Sequence, residues 1–233
     1  MSLYSAIWKR KSVRQYDKTP LGEDELGRIL QYANKLTPLY PHIATAHELV
    51  PAVSNILPVK TPHYFLIASE TTDGYLENIG FMFQQMDLYL SDSGLGACWL
   101  GMAKPSAGMK TELPFVIAFA FGKAAENPHR DLSEFNRKPL TDIADGEDAR
   151  IEAARLAPSA MNNQNWFFAA HDGKIDVFQK KAPLAPLEKK NKIDVGIALC
   201  HLCVATEQLG QTFTFAQEPS KEKKGYVYTG TVL

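Results

Sequence analysis

The chain has 233 residues, of which 45% are hydrophobic, enough apolar material for one large domain or two small ones and too much for a disordered polymer. Lysine and arginine number 25 against 26 acidic residues, so the formal net charge is -1 and no global field recruits nucleic acid or an anionic membrane surface. Any anion site is therefore local. Residues 1–12 have no apolar leader core, no apolar run is long enough to span a bilayer, and the three cysteines Cys98, Cys200 and Cys203 are an odd number, so a cytoplasmic protein with reduced thiols is expected.

Leu26, Ile29, Leu30 and Ala33 recur at the spacing of one helix face. The acidic first turn before them, Glu23, Asp24 and Glu25, suits the positive end of a helix dipole. The aromatic and branched run His63–Ser69, between Pro62 and a turn cluster at 71–74, predicts a strand. A long helix is expected over 75–93, with Ile79, Phe83, Met86 and Leu90 on its buried side and Gly94 as a left-handed cap. Residues 97–101 and 114–122 read as buried strands, and the polar stretch 123–137 with Pro128 as a loop.

After Asp145 and Gly146 a similar succession begins. It comprises an acidic helix start at Glu147 and Asp148, a strand over 166–170, a tight turn at Asp172-Gly173 and a return strand over 175–179. A second long helix over 193–209 is closed by Gly210, and 212–216 and 226–233 are strand-like. Asn78-Ile79-Gly80 in the first long helix corresponds to Asp194-Val195-Gly196 in the second. Two similar halves, 1–145 and 146–233, suggest a fused or internally duplicated dimer.

Arg10-Lys11-Ser12-Val13-Arg14 is the first segment that could carry chemistry. If extended, it points Arg10, Ser12 and Arg14 to one side, and two guanidiniums with a hydroxyl suit a phosphate. A solvated basic surface is the plainer meaning of such a cluster alone. Arg137-Lys138-Pro139-Leu140 has the same two meanings, ahead of a short helix. The polar turn Ala157-Pro158-Ser159-Ala160-Met161-Asn162-Asn163-Gln164 carries amides that both donate and accept. These suit a ring edge with alternating C=O and N–H groups, such as a flavin pyrimidine.

Cys200-His201-Leu202-Cys203 has metal or redox spacing, but lies among Ile197, Leu199 and Val204 of the second long helix with no second ligand pair, and reads as core. Met82, Phe83 and Met86 read as core too, and Lys180-Lys181 and the lysines of 221–224 as solvated.

Taken together, the segments resemble the nitroreductase family. Arg10-Lys11-Ser12-Val13-Arg14 with Tyr16 looks like its opening motif, and Ala157-Pro158-Ser159-Ala160-Met161-Asn162-Asn163-Gln164 like its proline-serine turn with amides. Gly94-Leu95-Gly96-Ala97-Cys98-Trp99-Leu100-Gly101 looks like its glycine-leucine-glycine helix end, and Arg137-Lys138-Pro139-Leu140 like its basic segment. The resemblance implies an α+β, three-layer α-β-α fold with an antiparallel-rich sheet and long central helices. It also implies bound FMN, NADH or NADPH as reductant, and a small acceptor such as a nitroaromatic or quinone.

The order of motifs departs from the family pattern, in which the proline-serine-asparagine turn follows the first helix and two subunits complete the site. Here that place holds Leu36-Thr37-Pro38-Leu39-Tyr40-Pro41, without serine or amides, while the second half has the turn but no basic opening. The resemblance is thus to a fused single-chain pseudodimer with one site, for which a monomer suffices although further self-association is allowed.

Carried over, it implies Arg10, Lys11, Ser12, Arg137 and Lys138 around the phosphate and Arg14 near the ribityl chain or flavin O2. Leu100, Gly101 and Met102 would offer a backbone N–H toward N5, and Pro158, Ser159, Ala160, Asn162 and Gln164 would cover the ring. Ping-pong turnover with no acid–base dyad follows. The alternative is a catalytically degenerate flavin-binding or structural module of the same fold.

Overall fold

The computed structural model describes residues 3–56, 58–219 and 221–233. In chain order, α1 (Leu3–Ile7) and α2 (Glu23–Ala33) precede β1 (Thr45–Val50), β2 (Val53–Ser54) and β3 (His63–Ser69). Helix α3 (Tyr75–Asp92) leads to β4 (Gly96–Leu100), β5 (Lys104–Pro105) and β6 (Phe115–Gly122). Then come α4 (Leu140–Ile143), β7 (Ala144–Asp145), α5 (Arg150–Arg155), β8 (Trp166–His171) and β9 (Lys174–Lys180). The last elements are α6 (Ala185–Gln208), β10 (Phe215–Ala216) and β11 (Tyr226–Val232).

Most expected elements stand within a residue or two of their expected bounds. Gly94 and Gly210 take φ of 77° and 72°, the left-handed caps anticipated for the two long helices, and Asp172 and Gly173 turn the β8–β9 hairpin at φ of 50° and 74°. Three differences are physical. Helix α6 starts at Ala185 rather than 193, because its first turns are solvated and show no apolar stripe, while Pro186 fits a first helical turn. Strand β1 is additional; its six residues are all half-buried and offer no alternation to read. The strand expected over 212–216 is only Phe215–Ala216.

The first sheet runs β1-β3-β6-β4 and is antiparallel throughout; the second runs β10-β11-β9-β8-β7 and is antiparallel except where β7 joins β8; β2 and β5 form a short antiparallel pair of their own. The order β8-β9-β11-β10 is that of β1-β3-β6-β4, and in both sets the long helix follows the second strand of the chain. Helix α3 touches β3 and β4, and α6 touches β8 and β9.

Helices α3 and α6 pack on each other at two glycines. A Cβ on Gly80 would overlap the Ile193 carbonyl oxygen, and one on Gly196 would overlap the Glu77 carbonyl oxygen. The backbones can approach this closely only without side chains at those two positions. The main apolar cluster takes in Phe65, Ile79, Phe83 and Met86 before Asp145, and Trp166, Phe168, Val195 and Leu199 after it, so one core crosses the middle of the chain. A smaller cluster with Val13, Leu66, Cys98 and Ala118 covers the other face of the first sheet, which is why β3 is buried at every position. Among the described residues no helix is long and apolar enough to cross a membrane.

Candidate functional site

Residues 10–16 form an extended strap along the first sheet, with bridges at Arg10–His129, Ser12–Ala97 and Tyr16–Ala124. The Val13 N–H donates to the Ala97 carbonyl at 2.9 Å. Gly96 allows this approach, since a Cβ there would stand 2.6 Å from Val13 Cβ. The strap thereby sets Ser12 and Arg14 at the end of β4.

Facing them is the turn after α5. The Ser159 hydroxyl accepts the Gln164 N–H at 2.9 Å, and Met161, Asn162 and Gln164 hold φ of 53°, 58° and 48°. Three non-glycine residues in the left-handed region within one turn is a strained arrangement of the kind that accumulates at functional sites. Its other anchor is Asp194 of α6, both of whose carboxylate oxygens lie 3.0 Å from the Ala160 amide nitrogen, which donates to them. Asp194 is fully buried, and burial raises its pKa to about 8 against the opposing pull of that N–H and of Lys190.

A cleft of about 400 Å³ separates the strap from the turn. Ser12, Arg14, Gly101 and Met102 line it on one side and Pro158, Ser159 and Ala160 on the other, with Trp99 and Ile197 among the remaining walls. Trp99 is held from behind: its Nε1–H donates to Gln84 Oε1 at 3.4 Å, Gln84 Nε2 lies 3.0 Å from His201 Nε2, and His201 Nδ1 lies 2.8 Å from the Ala153 carbonyl. Burial drives the His201 pKa down to about 3, so the ring is neutral, with Nδ1–H donating to that carbonyl and Nε2 accepting from the amide.

The other expected residues are placed differently. Leu100 is buried in the smaller core, and Lys11 is half-buried and lines neither this cleft nor its neighbour. The amides expected to face a ring are engaged by protein instead. Asn162 Oδ1 accepts from Arg137 Nη1 at 2.7 Å, and its Nδ2 donates to the Asn136 carbonyl at 2.7 Å. Gln164 is buried, its Oε1 accepting the Lys138 N–H at 2.7 Å and its Nε2 donating to the Asn162 carbonyl at 2.9 Å. Lys138 Nζ donates to the Asn163 carbonyl at 2.6 Å. These contacts rivet the basic segment to the turn, so Asn162 and Gln164 shape the site rather than face into it.

Arg10 is almost wholly buried and ion-paired to Asp87 at 3.0 Å, with its Nη2 3.3 Å from Ser12 Oγ. Arg130 lies over the Phe135 ring at 4.8 Å and Arg137 over it at 5.5 Å. Burial, then repulsion from Arg10, Arg130 and Arg155, lowers the Arg137 pKa to about 9; burial and Arg10 lower that of Arg130. Arg10 Nη1, Arg130 Nε and Arg137 Nε are buried donors without acceptors. Mutually repelling guanidiniums with unused donors are the complement of an anion.

The family model described as "Putative TM nitroreductase" matches residues 2–206. The chain belongs to that nitroreductase family. Among solved structures, a "putative nitroreductase" from Thermotoga maritima shares the fold at TM-score 0.67 and 21% identity, over 100% of this chain and 93% of that one. A nitroreductase family protein from Clostridium difficile 630 aligns at TM-score 0.48 and 17% identity, over 61% of this chain and 96% of its own. An FMN-dependent nitroreductase from Clostridium difficile R20291 aligns at TM-score 0.43 and 15% identity, over 56% and 93%. No curated protein matches.

In this nitroreductase-family chain the residues present fit FMN. The cleft offers apolar walls suited to a flat ring, with Arg14, Lys190 and Asp194 as its charged members, and the guanidiniums of Arg10, Arg130 and Arg137, which do not themselves line it, carry unused donors that suit a phosphate. Sequence reasoning missed Arg130, hidden in an irregular loop, and Asp194, Lys190 and Trp99. Asp194 had left a signal through its correspondence with Asn78, and Trp99 through its place in the Gly94–Gly101 segment.

Proposed function

We propose that the chain is an FMN-dependent oxidoreductase that takes hydride equivalents from NADH or NADPH and delivers them to a small acceptor such as a nitroaromatic or quinone. The observation that carries this reading is the cleft, with the basic strap on one wall and the Pro158–Ser159–Ala160 turn on the other. When bound, FMN supplies a ring that can accept hydride and pass electrons on. The protein's part is placement. Arg137 and Arg130 hold the phosphate, while Arg10, braced on Asp87, adds positive field from behind. Arg14 lies at the cleft wall, where its charge favours a reduced, more negative ring. The Gly101–Met102 backbone and the strained turn fix the two sides, and Gln84 and His201 steady Trp99. Donor and acceptor share one mouth, so they take turns, and ping-pong kinetics are expected.

We further propose that the two sheets and their helices are two fused halves, 1–145 and 146–233, flanking the α3–α6 pair as outer layers, with one site per chain. The repeated strand order supports this. So does a matched pair of contacts: the Tyr40 N–H donates to Asn78 Oδ1 at 2.9 Å just as the Ala160 N–H donates to Asp194. By the same correspondence the second cleft would lie beside Tyr40, Gly74 and Phe81. That space is filled, with the Tyr40 ring 2.6 Å from where a Gly74 Cβ would stand and 6.2 Å from the Phe215 ring, and with Phe81 stacked on Phe213 at 5.8 Å. Purified protein should be yellow and should bleach anaerobically with NADH or NADPH; a flavin-free preparation that takes up no added FMN contradicts the reading, and bound flavin that neither reductant bleaches leaves a binding module.

A further inference from the structure

Beside the cleft lies a second, smaller cavity of about 180 Å³. It shares Ala160, Met161 and Lys190 with the cleft, so the two adjoin along that edge. Lys180, Lys181 and Lys190 line it and no carboxylate does; Asn163, Asn165 and Asn191 supply most of its remaining polar surface and Leu187 an apolar lip.

The floor is built. Asn165 Nδ2 donates to Asn191 Oδ1 at 3.0 Å, and Asn191 Nδ2 donates to the Lys180 carbonyl at 3.2 Å. The Lys180 N–H donates to the Asn165 carbonyl and the Lys181 N–H to the Gly225 carbonyl, which fixes the backbone from which both exposed side chains leave. Lys190 reaches toward the cleft, its Cε 4.0 Å from where a Cβ on Gly101 would stand.

The charge here is unpaired. Lys9, Lys110, Lys174 and Lys221 each sit within 4 Å of a carboxylate, whereas among the described residues Lys180, Lys181 and Lys190 make no such ion pair. Lys138 adds a fourth ammonium behind Asn163, its pKa lowered by burial and then by Lys180, against the pull of Asp142. In a chain of net charge -1, three ammoniums around one cavity that no carboxylate lines make a local positive field beside the cleft, opposed by the buried Asp194 in the cleft wall.

We propose that this cavity is a subsite for an anionic group, carboxylate or phosphate, carried by the molecule whose ring enters the cleft, so that Lys180, Lys181 and Lys190 select negatively charged substrates. The proposal rests on the functional reading given above and adds a substrate class to it. Lys180 and Lys181, read as solvated from sequence, thus gain a place in recognition, together with Lys190.

The test is calorimetric titration, without reductant and at low salt, of protein assayed for flavin content. The ligands are benzoate, the neutral isostere benzamide, and inorganic pyrophosphate. Wild type should bind benzoate about tenfold more tightly than benzamide, roughly a 1.4 kcal/mol preference. In the double variant Lys180→Gln/Lys181→Gln the preference should fall to about twofold, with flavin content and benzamide affinity unchanged, and salt should erode it in wild type. Pyrophosphate that competes with benzoate and depends on the same lysines marks phosphate as the better ligand; benzoate binding that pyrophosphate does not displace marks carboxylate. Equal affinity for benzoate and benzamide in wild type, or a preference that survives the double substitution, overturns the proposal while leaving flavin content, and so the functional reading, untouched. A preparation that holds no flavin and takes up no added FMN strikes the functional reading instead, and lysine-dependent pyrophosphate binding then still decides the anion site.

Discussion

Asp194 and Asn78 accept a backbone N–H in the same way, yet only one of them titrates. Because burial raises the Asp194 pKa to about 8 from an ordinary 3.8, the folded state holds that proton more tightly than the unfolded chain. The contribution is therefore full below about pH 4 and is lost as pH rises toward 8. Asp194→Asn should keep the hydrogen bond from Ala160, flatten the loss of Tm between these pH values and raise Tm at pH 8–9 relative to wild type; an unchanged pH profile contradicts the burial argument. The arginines divide by the same logic. Arg137→Ala should weaken FMN by roughly 1.5–3 kcal/mol, the worth of a charged hydrogen bond, and riboflavin much less, as read by fluorescence titration. Arg10→Ala should act first on stability, costing about 3–5 kcal/mol in urea unfolding, because Asp87, whose pKa burial already raises, would lose its ion-pair partner in the core.

At the scale of elements, the α3–α6 crossing depends on two absent side chains. Gly80→Ala and Gly196→Ala each drive a Cβ into a carbonyl oxygen of the facing helix, and each should cost about 3 kcal/mol in urea unfolding, whereas Gly27→Ala, with open space around it, should cost nothing. A cost below about 0.5 kcal/mol at both crossing sites would mean that the helices are not locked there. These helices were legible in the sequence because Ile79, Phe83, Met86 and Leu90 repeat along one face and glycines cap both. The start of α6 and the whole of β1 were not, since solvated first turns and uniformly half-buried positions leave no period. In the site, the residue types near the cleft were legible but their directions were not: Asn162 and Gln164 look like ring ligands in one dimension, and only the fold shows Arg137 and Lys138 consuming them. Arg130 reaches the site through the backbone bond from its N–H to the Lys9 carbonyl, a long-range pairing that no local pattern encodes.

At the scale of the whole molecule, a single core crosses Asp145, and the cleft takes one wall from each side of that residue. Fragments 1–145 and 146–233, expressed separately, should each fail to retain flavin, because each would expose half of the α3–α6 surface and own one wall. On the proposed correspondence of the two halves, Tyr40 and the phenylalanines around it stand where a second cleft would lie, so one ring per chain is the expected outcome. The most direct test is flavin absorbance against protein concentration on a monomeric fraction defined by light scattering, after saturation with FMN and removal of the excess. The account predicts one FMN per chain in the monomer; two per chain, or flavin found only in dimers, would contradict it.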